Sequence, residues 1–264
     1  MGEAAAAYLA IGAATGFFAG LLGIGGGTIL VSSLALMFAA QAVPPAYVMH
    51  MAIGTSLAAI VAGSWASFRT HHRHGAVDWS VVRVMVPGVL AGALAGGAMS
   101  RWISTGFLKF FFLAFLVVVT AQMVFGLKPR AARSLPGPAG LAGVGIFTGV
   151  TSSLFGGGAA AVGVPFFTWC GMTIHRAIGT VAALGFPLAI AGSVGYALAG
   201  TGIEGLPAWS AGFVYVPAFV VISAASVLVA PFGARLAHRL KGPTLRRIFA
   251  VFLLAIGAKV AIAV

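Results

Sequence analysis

The chain has 264 residues, 61% hydrophobic and only 7% charged, with a formal net charge of +12. A soluble domain carries roughly 25% charged residues, so a water-facing globule is excluded and an integral membrane protein is indicated. The basic residues fall between apolar segments, as in cytoplasmic loops facing anionic lipid, which excludes the nucleic-acid partner that such a charge would otherwise suggest.

The first apolar segment, at about 4–22, follows no basic leader and is expected to remain as a helix. It runs into GLLGIGGGTI, Gly20 to Ile29, where five of ten residues are glycine. A short segment at about 28–40 comes next. HMAIGTSLAAI, His50 to Ile60, opens a helix at about 47–68. The tract His71, His72, Arg73 and His74 reads as a solvated loop rather than a metal site, because no carboxylate or cysteine completes it. Two further helices are expected at about 81–100 and 106–126. Gly126 to Gly140, GLKPRAARSLPGPAG, is a basic, Pro- and Gly-rich linker.

The second half repeats the first. Segments are expected at about 139–154, 159–170, 176–199, 209–232 and 245–263. LFGGGAAAV matches GIGGGTILV, HRAIGTVAALG from His175 matches HMAIGTSLAAI, and YVPAFV from Tyr215 matches MVPGVL from Met85. Paired halves with glycine-interrupted segments in corresponding positions are a transporter signature. The organisation read from this is an N-terminal repeat, 1–127, a basic cytoplasmic linker, 128–138, and a C-terminal repeat, 139–264, forming one transport domain. Cys170, the single cysteine, allows no internal disulfide and reads as a small buried residue.

Charge sets the orientation. If each glycine-broken stretch folds back as a hairpin, the halves are inverted and 12 of the 15 basic residues lie inside, leaving Arg101, Lys109 and Lys259 outside. If each stretch is one continuous span, the split is 7 inside and 8 outside. The positive-inside rule selects the hairpins and puts both termini outside. The expected fold is thus an all-α integral membrane bundle of two inverted repeats, each with a glycine-broken helical hairpin. Trp65, Trp79, Trp102 and Trp209 sit near segment ends, as interfacial anchors do.

The segment at 28–40 is about 20 Å long as a helix, short of a hydrocarbon core of roughly 30 Å. Its glycine tip is therefore expected inside the membrane, where irregular backbone must be satisfied by protein or line a wet cavity. Glycines let successive N–H groups converge, and the following helix points its positive dipole end at the same place. The expected result is an anion site without lysine or arginine, built from Gly25, Gly26, Gly27, Gly156, Gly157 and Gly158. Hydroxyls of Thr28, Thr55, Ser56, Thr151, Ser152, Ser153 and Thr180 are candidate donors. The competing reading is that the glycines mark close helix packing and that the hydroxyls bond to their own helices. His50 and His175 open matching helices, either as proton-sensitive gates or as polar residues at the interface. No residues suggest a metal or a cofactor.

Two glycine turns, Gly23–Gly27 and Gly156–Gly158, each followed some two dozen residues later by Ala-Ile-Gly-Thr, resemble the TauE/SafE sulfite exporter family over nearly the whole chain. The second copy departs in having Leu154-Phe155 before its glycines and Val181 where Ser56 stands in the first. The resemblance implies a multi-pass permease of the bacterial inner membrane for sulfur-containing oxyanions, either sulfite or an organosulfonate. Export needs no coupling ion, since an inside-negative potential favours anion exit. Proton-coupled uptake through His50 and His175 is the alternative. A membrane enzyme would need a nucleophile–base pair or metal cluster, and none is found.

Overall fold

The computed structural model describes residues 2–22, 26–125, 134–237 and 254–263. Its helices are α1 (Gly2–Leu22), α2 (Gly27–Ala40), α3 (Val48–Arg73), α4 (Trp79–Met99), α5 (Thr105–Phe125), α6 (Pro138–Phe155), α7 (Ala160–Trp169), α8 (Ile174–Ala199) and α9 (Val216–Ala237). A further helix, α10, covers Leu254–Ala263. Among the described residues, five helical stretches are long and apolar enough to cross a membrane: Pro45–Arg73, Trp79–Trp102, Thr105–Gln122, Pro138–Phe155 and Ile174–Ala199. Gly25, the linker bases Lys128, Arg130 and Arg133, and Arg239, Lys241, Arg246 and Arg247 lie outside the described residues.

The breaks have local causes. Asp78 caps α4, accepting the Ser80 N–H at 3.2 Å. Pro138 opens α6, where its missing N–H costs nothing. Gly156 ends α6 in the left-handed region at φ 69°, with its N–H donated to the Ser152 carbonyl at 3.0 Å. α1 and α2 fold back on one another, and Tyr8 donates its hydroxyl hydrogen to Gln41 Oε1 at 2.8 Å.

Helices meet through small residues. Gly12 and Gly16 bring α1 onto the α9 backbone, where a Cβ on Gly16 would lie 2.3 Å from the Ser226 carbonyl oxygen. Gly145 and Gly149 bring α6 onto α4, where a Cβ on Gly149 would lie 2.5 Å from the Val89 carbonyl oxygen. α4 also packs on α8, with Gly97 against Gly195. With little hydrophobic drive between helices in lipid, such close backbone approach supplies the attraction. At the centre, α3 is buried at every residue from Val48 to Ala59, enclosed by α2, α8 and α9.

Three expectations are corrected. Within an otherwise helical fold, Ser210–Ala211 pairs antiparallel with Val214–Tyr215, so the ninth helix starts at Val216 rather than near 209. The histidine tract is not a loop. α3 continues through His71, His72 and Arg73, and the Arg73 guanidinium suits the negative end of the helix dipole. The Val-Pro landmarks are not equivalent, since Pro87 lies inside α4 while Pro217 stands in the first turn of α9. Among the described residues no three His, Cys, Asp or Glu side chains gather for a metal.

Candidate functional site

The two glycine turns touch. A Cβ on Gly27 would lie 2.5 Å from the Gly156 carbonyl oxygen and 2.8 Å from Gly157 Cα. Only hydrogen at that position lets the head of α2 meet the α6–α7 turn. Gly26, Gly27, Gly156 and Gly157 are buried, and Gly158, at φ 80°, is half-buried. Val31 and Ile53 close one side of Gly156. Phe155 covers Gly157 and stacks on Phe115 with ring centroids 3.6 Å apart. Ser56, on the buried half of α3, joins the turns: its Oγ is 3.3 Å from the carbonyl oxygens of both Gly27 and Gly156.

Each turn leads into a helix whose head has no side-chain cap, with Gly26 preceding α2 and Ala159 preceding α7. The first intrahelical bonds are Leu30 N–H to Gly26 at 3.0 Å and Gly163 N–H to Ala159 at 2.8 Å. The amides ahead of them have no intrahelical acceptor. Two positive helix ends thus sit beside two touching turns, an arrangement suited to an anion.

The candidate hydroxyls divide. The Thr28 carbonyl accepts the Ser32 hydroxyl at 2.9 Å, which keeps Thr28 in the first turn of α2 beside the glycines. Ser152 is fully buried, with no partner for its Oγ among the described residues. Thr151 and Ser153 donate to carbonyls of their own helix, Phe147 at 2.7 Å and Val150 at 2.8 Å. Thr55 and Thr180 turn to other elements. Thr55 Oγ1 accepts the Tyr215 N–H at 3.0 Å, and Thr180 Oγ1 accepts the Asp78 N–H at 3.0 Å. The preceding glycines do the same work: a Cβ on Gly54 would lie 2.7 Å from the Phe213 carbonyl oxygen, and one on Gly179 2.4 Å from that of Ala76. The Ala-Ile-Gly-Thr motif therefore docks α3 to the segment before α9, and α8 to the segment before α4.

Sequence reasoning missed Thr15 and Thr148. Both are buried, with unpartnered Oγ1 atoms among the described residues. Thr15 lies against Gly26, whose Cβ would meet its Cγ2 at 2.3 Å. The signal was present as a Thr-Gly pair in both hairpins, Thr15-Gly16 and Thr148-Gly149.

His50 and His175 have unlike surroundings. His50 is buried, with Nε2 3.0 Å from the Ser100 carbonyl oxygen and 2.9 Å from that of Ile103, while Thr105 Oγ1 stands 3.2 Å from Nδ1. Its ring lies 4.8 Å from that of Phe213. It ties the head of α3 to the α4–α5 connection. His175 is exposed on the first turn of α8. Beside it, Arg176 pairs with Asp78 at 2.9 Å. The Asp78 carboxyl is held below the usual carboxylate range first by the Ser80 hydroxyl, with Arg176 adding to the effect. A hollow of about 430 Å³ lies away from the turns, bordered by Thr201, Ile203, Leu206, Trp209 and Gly212.

The family model described as Sulfite exporter TauE/SafE matches residues 8–260. A probable membrane transporter protein of Haemophilus influenzae is 33% identical over 250 residues, covering 94% of each chain. One from Methanocaldococcus jannaschii is 24% identical over 243 residues, 89% of this chain and 87% of its own. YunE of Bacillus subtilis, also a probable membrane transporter protein, is 30% identical over 117 residues, 44% of this chain and 40% of its own. No solved structure matches significantly.

Proposed function

Since the chain belongs to the TauE/SafE sulfite exporter family, and is a multi-pass membrane transporter rather than an enzyme, we propose that it exports a sulfur-containing oxyanion, sulfite or an organosulfonate, across a bacterial inner membrane. The observation that carries this reading is the contact of two glycine turns, each heading an uncapped helix. Amides of α2 and α7 would read negative charge and tetrahedral shape. Thr28, Thr15 and Ser152 would add hydroxyl donors. In the described conformation the turns are closed on one another, so exchange of the anion requires them to part, as alternating access does.

Matched contacts support an inverted duplication. α1 lies on α9 as α6 lies on α4, and Thr55 receives the amide before α9 as Thr180 receives the one before α4. With the basic connections facing anionic lipid inside, anion exit is favoured by about 2.3 kcal/mol per charge per 100 mV. Proton-coupled uptake through His50 and His175 gains less support, because one is a buried clamp and the other an exposed residue.

The test is flux of unmodified anion from liposomes holding the purified protein. Sulfite, thiosulfate and sulfoacetate are compared under an inside-negative potential without a pH gradient. Potential-driven efflux of at least one is expected. No efflux above protein-free liposomes, or efflux that requires a pH gradient, would overturn the proposal.

A further inference from the structure

On the export reading and the matching of the halves proposed above, we infer that the C-terminal half of α3 lines a water-filled cytoplasmic entrance by which the anion reaches the glycine turns, along a stripe of Ser64, Ser67, His71 and His74. In the register of the two Ala-Ile-Gly-Thr motifs, that stripe corresponds to Ala189, Gly192, Tyr196 and Ala199 of α8. The two stripes have opposite surroundings. All four α8 residues are buried, whereas Ser67 and His74 are exposed and Ser64 and His71 half-buried. At the outer end α4 closes on α8: a Cβ on Gly97 would lie 2.8 Å from the Gly192 carbonyl oxygen, and one on Gly195 2.7 Å from that of Leu94. At the inner end α9 meets α3 at Ala59, whose carbonyl accepts the Ser223 hydroxyl at 3.2 Å. Beyond that bond Val227, Leu228, Phe232 and Arg235 of α9 are exposed, and the stripe on α3 is open.

The side chains give a cause. Hydrogen bonds from the Asp78 and Tyr215 amides to Thr180 and Thr55 set the register of α4 against α9. In that register Leu94 and Ala98, which lie against Gly195, correspond to Pro231 and Arg235. A proline ring and a guanidinium stand where α4 brings bare backbone and a methyl, so the small-residue seal of the outer end has no copy at the inner end. The stripe also suits water rather than lipid. Exposed positions on α5 and α6 include Val117, Val118 and Phe147, all apolar, whereas histidines in membrane segments turn to the bundle interior or to a water-filled cavity. Arg69 and Arg73 on α3 and Arg235 on α9 are exposed at the mouth. A cleft lined by one sign of charge concentrates ions of the other.

The stripe leads to the turns. Ile60, one helical turn before Ser64, is the first half-buried residue of α3 after the buried run Val48 to Ala59. Its Cδ1 is what a Cβ on Gly158 would meet, at 3.9 Å. Gly158 is half-buried, while Gly26, Gly27, Gly156 and Gly157 are buried. The open side of the turns is therefore the side facing Ile60, beside the uncapped head of α7. An anion entering between α3 and α9 arrives at those amides without crossing lipid, and the α4–α8 contact holds the outer side shut.

The experiment is thiol labelling of the full chain in inside-out and right-side-out membrane vesicles, read by the mass of the purified protein. Ser64→Cys and Ser67→Cys are compared with Ala189→Cys, the buried counterpart of Ser64, and with Phe147→Cys, at an exposed apolar position. Ser64 lies about 13 Å of helix from Arg73, and Phe147 about 13 Å from Pro138, so the two probe like depths. Wild type, with its buried Cys170, sets the background. The reagents are methanethiosulfonates carrying an ethylsulfonate or an ethyltrimethylammonium group, with rates scaled to those for free cysteine. From the cytoplasmic side both serine sites should label, the anionic reagent favoured by about tenfold, while Phe147→Cys stays at background. From the outer side Ala189→Cys should stay at background. If either serine variant fails to fold, the other decides. Serine sites that label no faster than Phe147→Cys would make α3 a lipid-facing helix. Ala189→Cys labelling from outside as fast as Ser64→Cys from inside would remove the outer seal, and an absent or reversed preference for the anionic reagent would remove the anion route. Each of these overturns the entrance. Labelling measures water access rather than transport, so its failure leaves the sulfite efflux test standing, and absent efflux beside labelled serines removes the sulfur anion but not the wet cleft.

Discussion

Gly27→Ala is the most direct test of the touching turns. The new methyl would lie 2.5 Å from the Gly156 carbonyl oxygen, where ordinary contact begins at 3.4 Å, so the turns must part by about 0.9 Å. Both partners are backbone, and neither can rotate away. Overpacking of this kind costs about 1–3 kcal/mol. The same separation spreads the heads of α2 and α7, so anion affinity should fall by about 5- to 150-fold, the equivalent of that energy. Gly63→Ala is the control, because a Cβ there meets nothing within 4 Å. Melting temperature and sulfite efflux from liposomes are measured for both. Gly27→Ala should lower both quantities and Gly63→Ala neither. If the two variants behave alike, the turns are not in the contact described. Gly26→Ala is a poorer probe than the sequence suggests, since its methyl is aimed at Thr15 on α1 rather than at the opposite turn.

Thr55→Val and Thr180→Val each strand a half-buried amide, that of Tyr215 or Asp78, and should cost about 1 kcal/mol or more of stability while protein that folds keeps its anion affinity. Lost affinity at unchanged melting temperature would instead put these threonines on the anion. His50→Ala removes the donor to Ser100 and Ile103 and should destabilise by about 1–3 kcal/mol, whereas His175→Ala, at an exposed site, should stay within about 0.5 kcal/mol; equal thermal shifts would refute the distinction. The depressed Asp78 carboxyl adds stability that is complete above its unfolded value of about 3.9 and is lost as pH falls through the lower folded value. Wild type and Asp78→Asn should therefore converge in melting temperature under acid, and a gap that stays constant from about pH 6 to 3 would show that the carboxyl charge contributes nothing.

The membrane helices were legible because length, apolarity and charge placement are properties of a single segment. The repeated glycine motif also pointed to two turns that approach each other, and Gly27 does meet Gly156 and Gly157. Two boundaries differ from expectation for local reasons. Nothing punctuates α3 until Gly75, in the left-handed region at φ 65°, so the helix runs through the histidine tract. Gly212-Phe213 is a two-residue hairpin loop with positive φ at its first position, a recognisable signal that the surrounding apolar residues hid.

The hydroxyls were less legible, for a physical reason. Periodicity tells which residues share a helix face, but not what distant backbone arrives there. Thr55 meets an amide 160 residues away and Thr180 one 102 residues away. Both threonines drew attention because their motif recurs. Yet the motif recurs because α3 and α8 each need docking to the segment before another helix. Ser56 is the contrasting case: Val181 stands in the matching position, and among the described residues Ser56 is the side chain that bonds to both turns. Two glycine turns that meet at one seam leave room there for one bridging side chain. The recurring motif therefore marks how α3 and α8 dock, and the residue used once marks where the two glycine turns join.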